Sequence, residues 1–229
     1  RLSTDQRNTI NKPATGLIIY NTSKKCIELN IGTPDEANWD CIKMEQLGCN
    51  PDFRTAIVEV TSTTGKVWMD RNLGASQAAT SSSDSLSFGD LYQWGRSNDG
   101  HQCRDSDTLF TEATTAVPDL DNTWDGKFII GLSPDYNWLD TEDNTLWQGV
   151  SGSNNPCPFG FRIPTKTEWD AEITSFSTAD LDGAFGSVLK IPAGGYRDSS
   201  SGAIAEIGNE AKLFSSTIVP SENKSYGSS

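Results

Sequence analysis

Two short runs of apolar residues open the chain, and a polar turn separates them. Residues 17–20 and 26–30 are rich in apolar and β-branched side chains, so they predict a β-hairpin. Trp39 lies on a third segment that we expect to return beside this hairpin. Before the hairpin, Ser3 or Thr4 can cap a short helical turn. The first part of the sequence therefore predicts a small β module.

From residue 55 the strand-like pattern resumes. Residues 56–60 alternate between outward and inward positions, and residues 66–69 return after a turn, which predicts a second hairpin. Three shorter segments predict further strands toward the end of the chain, at 188–191, 194–197 and 204–207.

Two stretches have the pattern of a capped helix instead. Ser87 is predicted to cap a helix over residues 88–94, with Asp90 at the capping-box position. Thr165 and Glu168 lie three residues apart and predict the start of a second helix. The chain is therefore expected to combine short helices with short strands.

The stretch 154–169 carries the most specific local pattern. Pro156 and Pro158 restrict the backbone on either side of Cys157. Alternating apolar residues over 159–163 then predict a short strand before the second helix. The stretch is either an ordinary strand–turn–helix connection or a rigid loop that presents one sulfur atom.

Composition narrows the class of protein. Only 35% of the 229 residues are apolar, which suits a loop-rich β protein, and the seven tryptophans are expected to supply much of the core. The formal net charge of −13 makes binding to nucleic acid unfavourable. No apolar run approaches the length of a membrane span, so we expect no membrane insertion.

The five cysteines lie far apart without a CxxC pair, and the chain has one histidine. This spacing argues against zinc and favours disulfide bonds in an oxidising compartment. Cys26 is predicted to bond Cys41, because a hairpin strand and its return segment can bring them together. Cys49 and Cys103 form a second predicted pair, which leaves Cys157 unpaired.

Four sequence motifs occur in the order seen in one known family. They are GKVWMDRNLGAS at 65–76, GDLYQWGR at 89–96, LWQGVSGSNNPCPFGFRIPTKTEW at 146–169 and LKIPAGGYRDSSSGAI at 189–204. From about residue 55 onward the chain resembles the Fibrobacter succinogenes major paralogous domain. The resemblance implies an α+β, C-type-lectin-like fold with short antiparallel strands, two short helices and long loops. It also implies a secreted or surface protein of Bacteroidetes or Fibrobacteres.

Residues 1–45 carry a second resemblance, through PATGLIIYNT and the cysteines and tryptophan that follow. They resemble short β modules of Bacteroidetes surface proteins and phage tail fibres, which implies a stalk or connector and assembly into homo-oligomers or filaments. The alternative is a simple hairpin packed on a main domain of residues 46–229. Members of the resembled family usually continue into a closing strand that carries a cysteine. We therefore expect Cys157 to bond a cysteine beyond Ser229, and this domain to lack its closing strand.

Hard oxygen ligands are concentrated in two loops, which makes calcium the best-supported metal. Neither loop has EF-hand spacing, and the sugar-binding triplets of calcium-dependent lectins are missing, so a bound calcium would be structural. Solvated acidic loops are the alternative. The candidate ligands are Asp119, Asp121, Asp125, Asp135, Asp140 and Asp143.

Aromatic side chains offer a platform for stacking sugars, although tryptophans spaced this irregularly also build cores. His101 and Cys103 lie two positions apart and could form a nucleophile–base pair, unless the cysteine is bridged. The candidate ligand-binding residues are Tyr92, Trp94, Trp138, Trp147 and Tyr196.

The sequence thus predicts a non-catalytic binding or structural module, at the tip of an adhesin, surface filament or tail-fibre protein, that recognises a glycan or a surface protein. We expect it outside the cell, on a cell surface or on a virion. The alternative is an enzyme on a scaffold like that of the formylglycine-generating enzymes. Those enzymes use a cysteine pair near their C-terminal end, whereas no cysteine follows Cys157 here.

Overall fold

The structure is a computed structural model, and it describes residues 1–24, 26–42, 55–117, 123–132, 136–219 and 224–225. The chain divides into two compact units, Arg1–Gly48 and Cys49–Ser229. Short strands, short helices and long loops make up the described residues, so the chain has the predicted mixed α+β character.

The first unit contains a three-stranded antiparallel sheet and a short helix. Ser3 begins the helix with a capping box, in which Ser3 and Gln6 each accept a hydrogen bond from the other's backbone N–H. The predicted hairpin is confirmed, with Ile18 opposite Leu29. The predicted third segment forms a strand beside it. The elements are α1 (Thr4–Asn8), β1 (Ile18–Asn21), β2 (Cys26–Asn30) and β3 (Trp39–Ile42).

Polar side chains occupy the interior of this first unit. Arg7, Asn21 and Glu28 are buried, while Ile18 and Ile27 on the sheet are exposed. The Arg7 guanidinium donates to the Glu28 carboxylate at 2.7 Å, and the Asn21 amide donates to its other oxygen at 2.9 Å. Because a buried carboxylate is costly without such partners, this network fixes how the helix packs on the sheet.

The second unit has short strands that pair two by two, together with short helices. β6 and β7 are parallel, whereas the other strand pairs are antiparallel. Among the helices that the structure describes, none is long and apolar enough to cross a membrane. The strands are β4 (Glu59–Thr61), β5 (Val67–Met69), β6 (Thr108–Leu109), β7 (Phe128–Ile129), β8 (Tyr196–Arg197), β9 (Ile204–Ala205), β10 (Ile218–Val219) and β11 (Lys224–Ser225). The helices are a 3-10 turn (Ser85–Ser87), α2 (Lys166–Ser175) and α3 (Leu181–Gly186).

Tryptophans join the loops of the second unit to its core. The indole N–H of Trp138 donates to the backbone oxygen of Trp94 at 2.7 Å, and that of Trp147 donates to the backbone oxygen of Arg96 at 3.0 Å. A buried indole needs such a partner, so each ring fixes a distant piece of backbone as well as filling space. The buried apolar cluster consists of Ala113, Trp124, Ile129, Trp138, Leu139 and Leu146.

Helix α2 begins with the predicted capping box. Thr165 Oγ1 accepts from the Glu168 N–H at 3.3 Å, and Glu168 Oε2 accepts from the Thr165 N–H at 2.9 Å. The Glu168 carboxylate also accepts two hydrogen bonds from Arg162, at 2.7 and 2.8 Å, and one from Lys66 at 3.1 Å. The Arg162 bonds are the main cause that lowers the pKa of Glu168 below its usual range. The helix start, the preceding loop and the β4–β5 hairpin therefore meet at one carboxylate.

The strand predicted over residues 159–163 is wrong. The Phe161 N–H donates to the Pro158 oxygen at 2.9 Å, which closes a turn, and Gly160 adopts a φ of +90°. Phe159 is consequently fully exposed at the tip of the turn. The alternation of apolar residues therefore belongs to a turn rather than to a strand.

The helix predicted over residues 88–94 is also wrong. The Asp90 N–H donates to the Leu73 oxygen at 2.9 Å, and the Leu91 N–H donates to the Gln102 oxygen at 2.8 Å. In a helix, these backbone N–H groups would donate to carbonyl oxygens of the preceding turn. Here they donate to residues that are distant in the sequence. The segment is extended and irregular instead, which directs its side chains to different parts of the unit.

Three smaller differences concern helix caps and strand lengths. Asp84, not Ser87, caps the 3-10 turn, with its side chain accepting from the Leu86 N–H. Residues 188–191 form a turn rather than the predicted strand. The strands predicted at 194–197 and 204–207 are present but shortened to β8 and β9.

The cysteines are described in part. Cys103 is disulfide-bonded, and its predicted partner Cys49 lies outside the described residues. Cys157 is free. The backbone register places Cys41 opposite Glu28, two positions from Cys26, but the side chains of both cysteines lie outside those described. The Cys26–Cys41 bond therefore stays a prediction.

Candidate functional site

A cavity of about 1450 Å³ opens in the second unit. Five tryptophans, three tyrosines and five phenylalanines line it, so most of the aromatic residues of the chain meet around one space. The five predicted ligand-binding residues are all among them: Tyr92, Trp94, Trp138, Trp147 and Tyr196. The structure thus brings together residues that are up to 104 positions apart in the sequence.

These five residues differ in exposure. Trp138 and Trp147 are only 4% and 1% exposed, and their indole N–H groups are bound to backbone oxygens. They form the rigid rear of the cavity. Tyr92, Trp94 and Tyr196 are half-buried, so part of each ring can contact a ligand.

Neighbouring groups hold the two tyrosines in place. The Tyr92 hydroxyl donates to Asn98 Oδ1 at 2.6 Å, and its ring meets the Trp147 ring edge-on at 6.4 Å between centroids. The Lys212 ammonium lies 3.3 Å from the centroid of the Tyr196 ring. These contacts pre-orient the rings, which reduces the entropy lost when a ligand binds.

Among the acidic residues that line the cavity, Asp90 has the most unusual environment. It is half-buried, and within the described residues its carboxyl group has no hydrogen-bond partner. Burial raises its pKa to about 7, and the charge of Arg104 only partly opposes this shift. An acid perturbed in this way in a cavity is a candidate for binding or proton transfer.

The backbone around Asp90 holds the carboxyl group in this position. Gly74 adopts a φ of +78°, and a Cβ atom there would lie 2.2 Å from the Asp90 carboxyl carbon. Arg104 donates through Nε to the Gly89 oxygen at 2.8 Å and through Nη2 to the Gly194 oxygen at 2.9 Å, while its buried Nη1 has no hydrogen-bond partner among the described residues. The sequence had suggested only a helix-capping role for Asp90, so reasoning from local pattern missed it.

The histidine lies behind the cavity wall in a buried polar network. His101 Nδ1 is 2.6 Å from Asp99 Oδ1, and Nε2 accepts from the Gln93 N–H at 3.0 Å. Burial lowers the pKa of His101 to about 4, against the opposing hydrogen bond to Asp99. The ring is therefore neutral near pH 7 with both nitrogens engaged. Because Cys103 is disulfide-bonded, these two residues do not form a nucleophile–base pair.

Arg96 is the central member of this network. Its guanidinium donates to Asp99 Oδ2 at 2.5 Å and to Gln93 Oε1 at 2.8 Å. It also lies 5.0 and 5.2 Å from the ring centroids of Trp124 and Trp138. The two ring centroids are 5.8 Å apart, so the guanidinium packs against both indoles while it makes these hydrogen bonds. Sequence reasoning assigned no role to Arg96, although GDLYQWGR had been singled out as a motif.

The predicted calcium ligands are only partly described. Asp119, Asp121 and Asp135 lie outside the described residues. Asp143 accepts hydrogen bonds from the Thr145 N–H and hydroxyl, at 2.9 and 2.6 Å, and so closes a local turn. Asp125, Asp140 and the other acids that the structure does describe form no group of three that could hold a metal ion. Calcium binding in these loops therefore stays a prediction.

Cys157 also lines the cavity. It is half-buried, and burial raises its pKa to about 12 although the charge of Arg162 opposes the shift. The group is therefore a thiol rather than a thiolate at neutral pH, which makes it a poor nucleophile.

Comparison with known families, with curated proteins and with solved structures finds no match to this chain. The resemblance carried by the four motifs therefore remains a prediction, and function has to be inferred from the chemistry of the cavity.

Proposed function

We propose that the chain is a non-catalytic binding module of a secreted or surface protein and that its second unit binds a glycan. The observation that carries this proposal is the aromatic cavity with half-buried Tyr92, Trp94 and Tyr196 on its wall. Sugar rings present C–H faces that pack on aromatic surfaces and hydroxyl groups that need polar partners. A cavity that offers both kinds of surface matches this ligand class.

The size of the cavity favours an oligosaccharide over a single small molecule. At about 1450 Å³ it exceeds the roughly 300–1,000 Å³ of typical small-molecule sites. The net charge of −13 disfavours nucleic acid as the ligand. The tip of an adhesin, a surface filament or a tail fibre is the setting that the sequence resemblances suggest.

An enzyme is the second candidate, and Asp90 is the observation that favours it. A carboxyl group with a pKa of about 7 could act as a general acid or base. The binding function is preferred because His101 has both ring nitrogens engaged and the Cys157 group is a thiol. Release of reducing sugar from a bound oligosaccharide would decide for the enzyme.

Binding of the full chain to an array of oligosaccharides tests the proposal. We expect selective binding that Tyr196→Ala weakens about tenfold or more, as loss of an aromatic anchor does. Tyr20→Ala is the matched control, because Tyr20 is an aromatic residue on the sheet of the first unit, outside the cavity. Absence of binding, or an equal effect of both substitutions, would refute a glycan site in the cavity.

A further inference from the structure

We propose that Asp90 is the polar anchor of the glycan site, and that its carboxylate selects neutral sugars by accepting hydrogen bonds from their adjacent hydroxyl groups. This inference rests on the proposed function, and it adds the residue that sets specificity and the class of sugar.

The Asp90 carboxyl group has unmet hydrogen-bonding capacity. Asp90 lines the cavity, and its carboxyl group has no hydrogen-bond partner among the described residues. A polar group left this way at a partly buried site is unfavourable, and more so when it is charged. A ligand that supplies O–H donors removes this penalty, and hydrogen bonds to an ionised acceptor are the stronger kind.

The side chains next to Asp90 do not hydrogen-bond to its carboxyl group. The Tyr92 hydroxyl donates to Asn98, and two nitrogens of Arg104 donate to backbone oxygens. The third, Nη1, is buried and has no hydrogen-bond partner among the described residues, Asp90 included. Gly74, which packs directly on the carboxyl group, has no side chain to offer. Arg104 and Tyr92 are the titratable groups that interact electrostatically with Asp90, and neither forms a hydrogen bond with its carboxyl group.

The charges that line the cavity restrict the charge of its ligand. Eight carboxylates and five cationic side chains line the cavity, in a chain whose net charge is −13. An acidic sugar would meet repulsion from this excess of carboxylates, which includes Asp90. Two adjacent hydroxyl groups of a neutral sugar, in contrast, can donate to the two oxygens of one carboxylate. The lining therefore favours neutral oligosaccharides over uronic acids.

The test uses the full chain with two isosteric variants. The probes are immobilised neutral oligosaccharides of glucose, mannose, galactose or xylose, with oligogalacturonate as the anionic probe, followed by calorimetry on the best binder at pH 8. We expect Asp90→Asn to weaken binding at least about tenfold, the loss of one charge-assisted hydrogen bond. The control, Asp170→Asn, removes the same charge at an exposed ion pair with Lys166, outside the cavity lining. It leaves the cavity unchanged, so we expect wild-type affinity.

Each alternative outcome has a distinct meaning. A neutral oligosaccharide bound equally by wild type and Asp90→Asn would overturn the anchor and leave the proposed function standing. Equal weakening in both variants, or preference for oligogalacturonate, would also overturn it. Failure of the wild type to bind any probe would overturn both proposals.

A second measurement does not depend on a variant that folds. Protonation of Asp90 removes the ionised acceptor, and its pKa of about 7 places this change in an accessible range. The wild-type affinity for the same neutral oligosaccharide should therefore fall several-fold between pH 8.5 and pH 5.5. Constant affinity across this range would overturn the anchor.

Discussion

The indole N–H of Trp68 in strand β5 donates a hydrogen bond of 3.1 Å to the carboxylate of Glu172 in helix α2. The same oxygen accepts from the Ser62 hydroxyl at 2.6 Å and from the Thr64 hydroxyl. Glu172 is 1% exposed, and no cation among the described residues pairs with it. Neutral donors from one hairpin thus hold a buried carboxyl group that lies more than 100 residues away in the sequence.

Removing this carboxylate should loosen the hairpin. We expect Glu172→Ala to lower the free energy of unfolding by about 2–4 kcal/mol, because it leaves buried donors unsatisfied and creates a cavity. Urea denaturation measures the change. Asp170→Ala is the control on the same helix, since Asp170 pairs with Lys166 at an exposed site and should cost less than about 1 kcal/mol. Equal effects of the two substitutions would contradict this role.

Arg96 should not tolerate replacement by lysine. A lysine keeps the positive charge but loses the planar group that packs against Trp124 and Trp138 and the branched set of donors to Asp99 and Gln93. We expect Arg96→Lys to destabilise the fold by about 2–4 kcal/mol. Arg1→Lys, at the exposed start of the chain, should leave stability unchanged in the same assay.

The pH dependence of the free energy of unfolding should reveal the raised pKa of Asp90. Its pKa is raised from 3.8 to about 7, so its contribution to stability is complete at low pH and is lost as the pH rises through 7. Relative to wild type, Asp90→Asn should therefore gain stability between pH 4 and pH 8, by about 1–3 kcal/mol after allowance for partial exposure. A difference between the two proteins that does not change with pH would contradict the raised pKa.

His101 should change the free energy of unfolding with pH in the opposite direction to Asp90. Its pKa is lowered from 6.5 to about 4, so its contribution is complete above pH 6.5 and is lost as the pH falls toward 4. Between pH 6.5 and pH 4, the preference of the buried ring for its neutral form should lower the free energy of unfolding of the wild type by about 3 kcal/mol. The neutral variant His101→Gln should be less stable than the wild type at pH 7. Its free energy of unfolding should fall less steeply as the pH is lowered below 6.5. The pH-dependent contributions of Asp90 and His101 to the free energy of unfolding have opposite signs and partly cancel in the wild type. Each contribution is therefore measured as the difference between the variant and the wild type.

Calcium remains a specific expectation for residues 119–144. If the loops bind it, a chelator should lower the melting temperature and added calcium should restore it, because a ligand of the folded state stabilises that state. Magnesium at the same concentration is the control, since its smaller, octahedral site fits flexible carboxylate loops poorly. An unchanged melting temperature in chelator would argue for solvated acidic loops.

Local signals in the sequence predicted local structure well. The caps at Ser3 and Thr165 and the hairpin of β1 and β2 are set by residues within a few positions of one another, and the structure confirms them. The segment 88–94 was mispredicted because its backbone donors bind Leu73, Gln102 and His101. Nothing in a local pattern reveals such partners.

The candidate site was predictable only in composition. Tyr92, Trp94 and Tyr196 could be named as aromatic residues suited to a ligand, but their shared cavity depends on loops that no periodicity describes. Asp90 and Arg96 were missed for the same reason, because burial and a nearby charge give them their properties. A charged residue inside a motif with several aromatics is the one signal that could have drawn attention to them.

The uneven distribution of tryptophan has a spectroscopic consequence. Six of the seven indoles lie in the second unit, and Trp39 is the one in the first, beneath the Arg7 guanidinium at 5.5 Å. Intrinsic fluorescence on denaturation will therefore report almost entirely on the second unit. Circular dichroism in the far ultraviolet records both units, so the two signals will follow different curves if the units unfold in separate transitions.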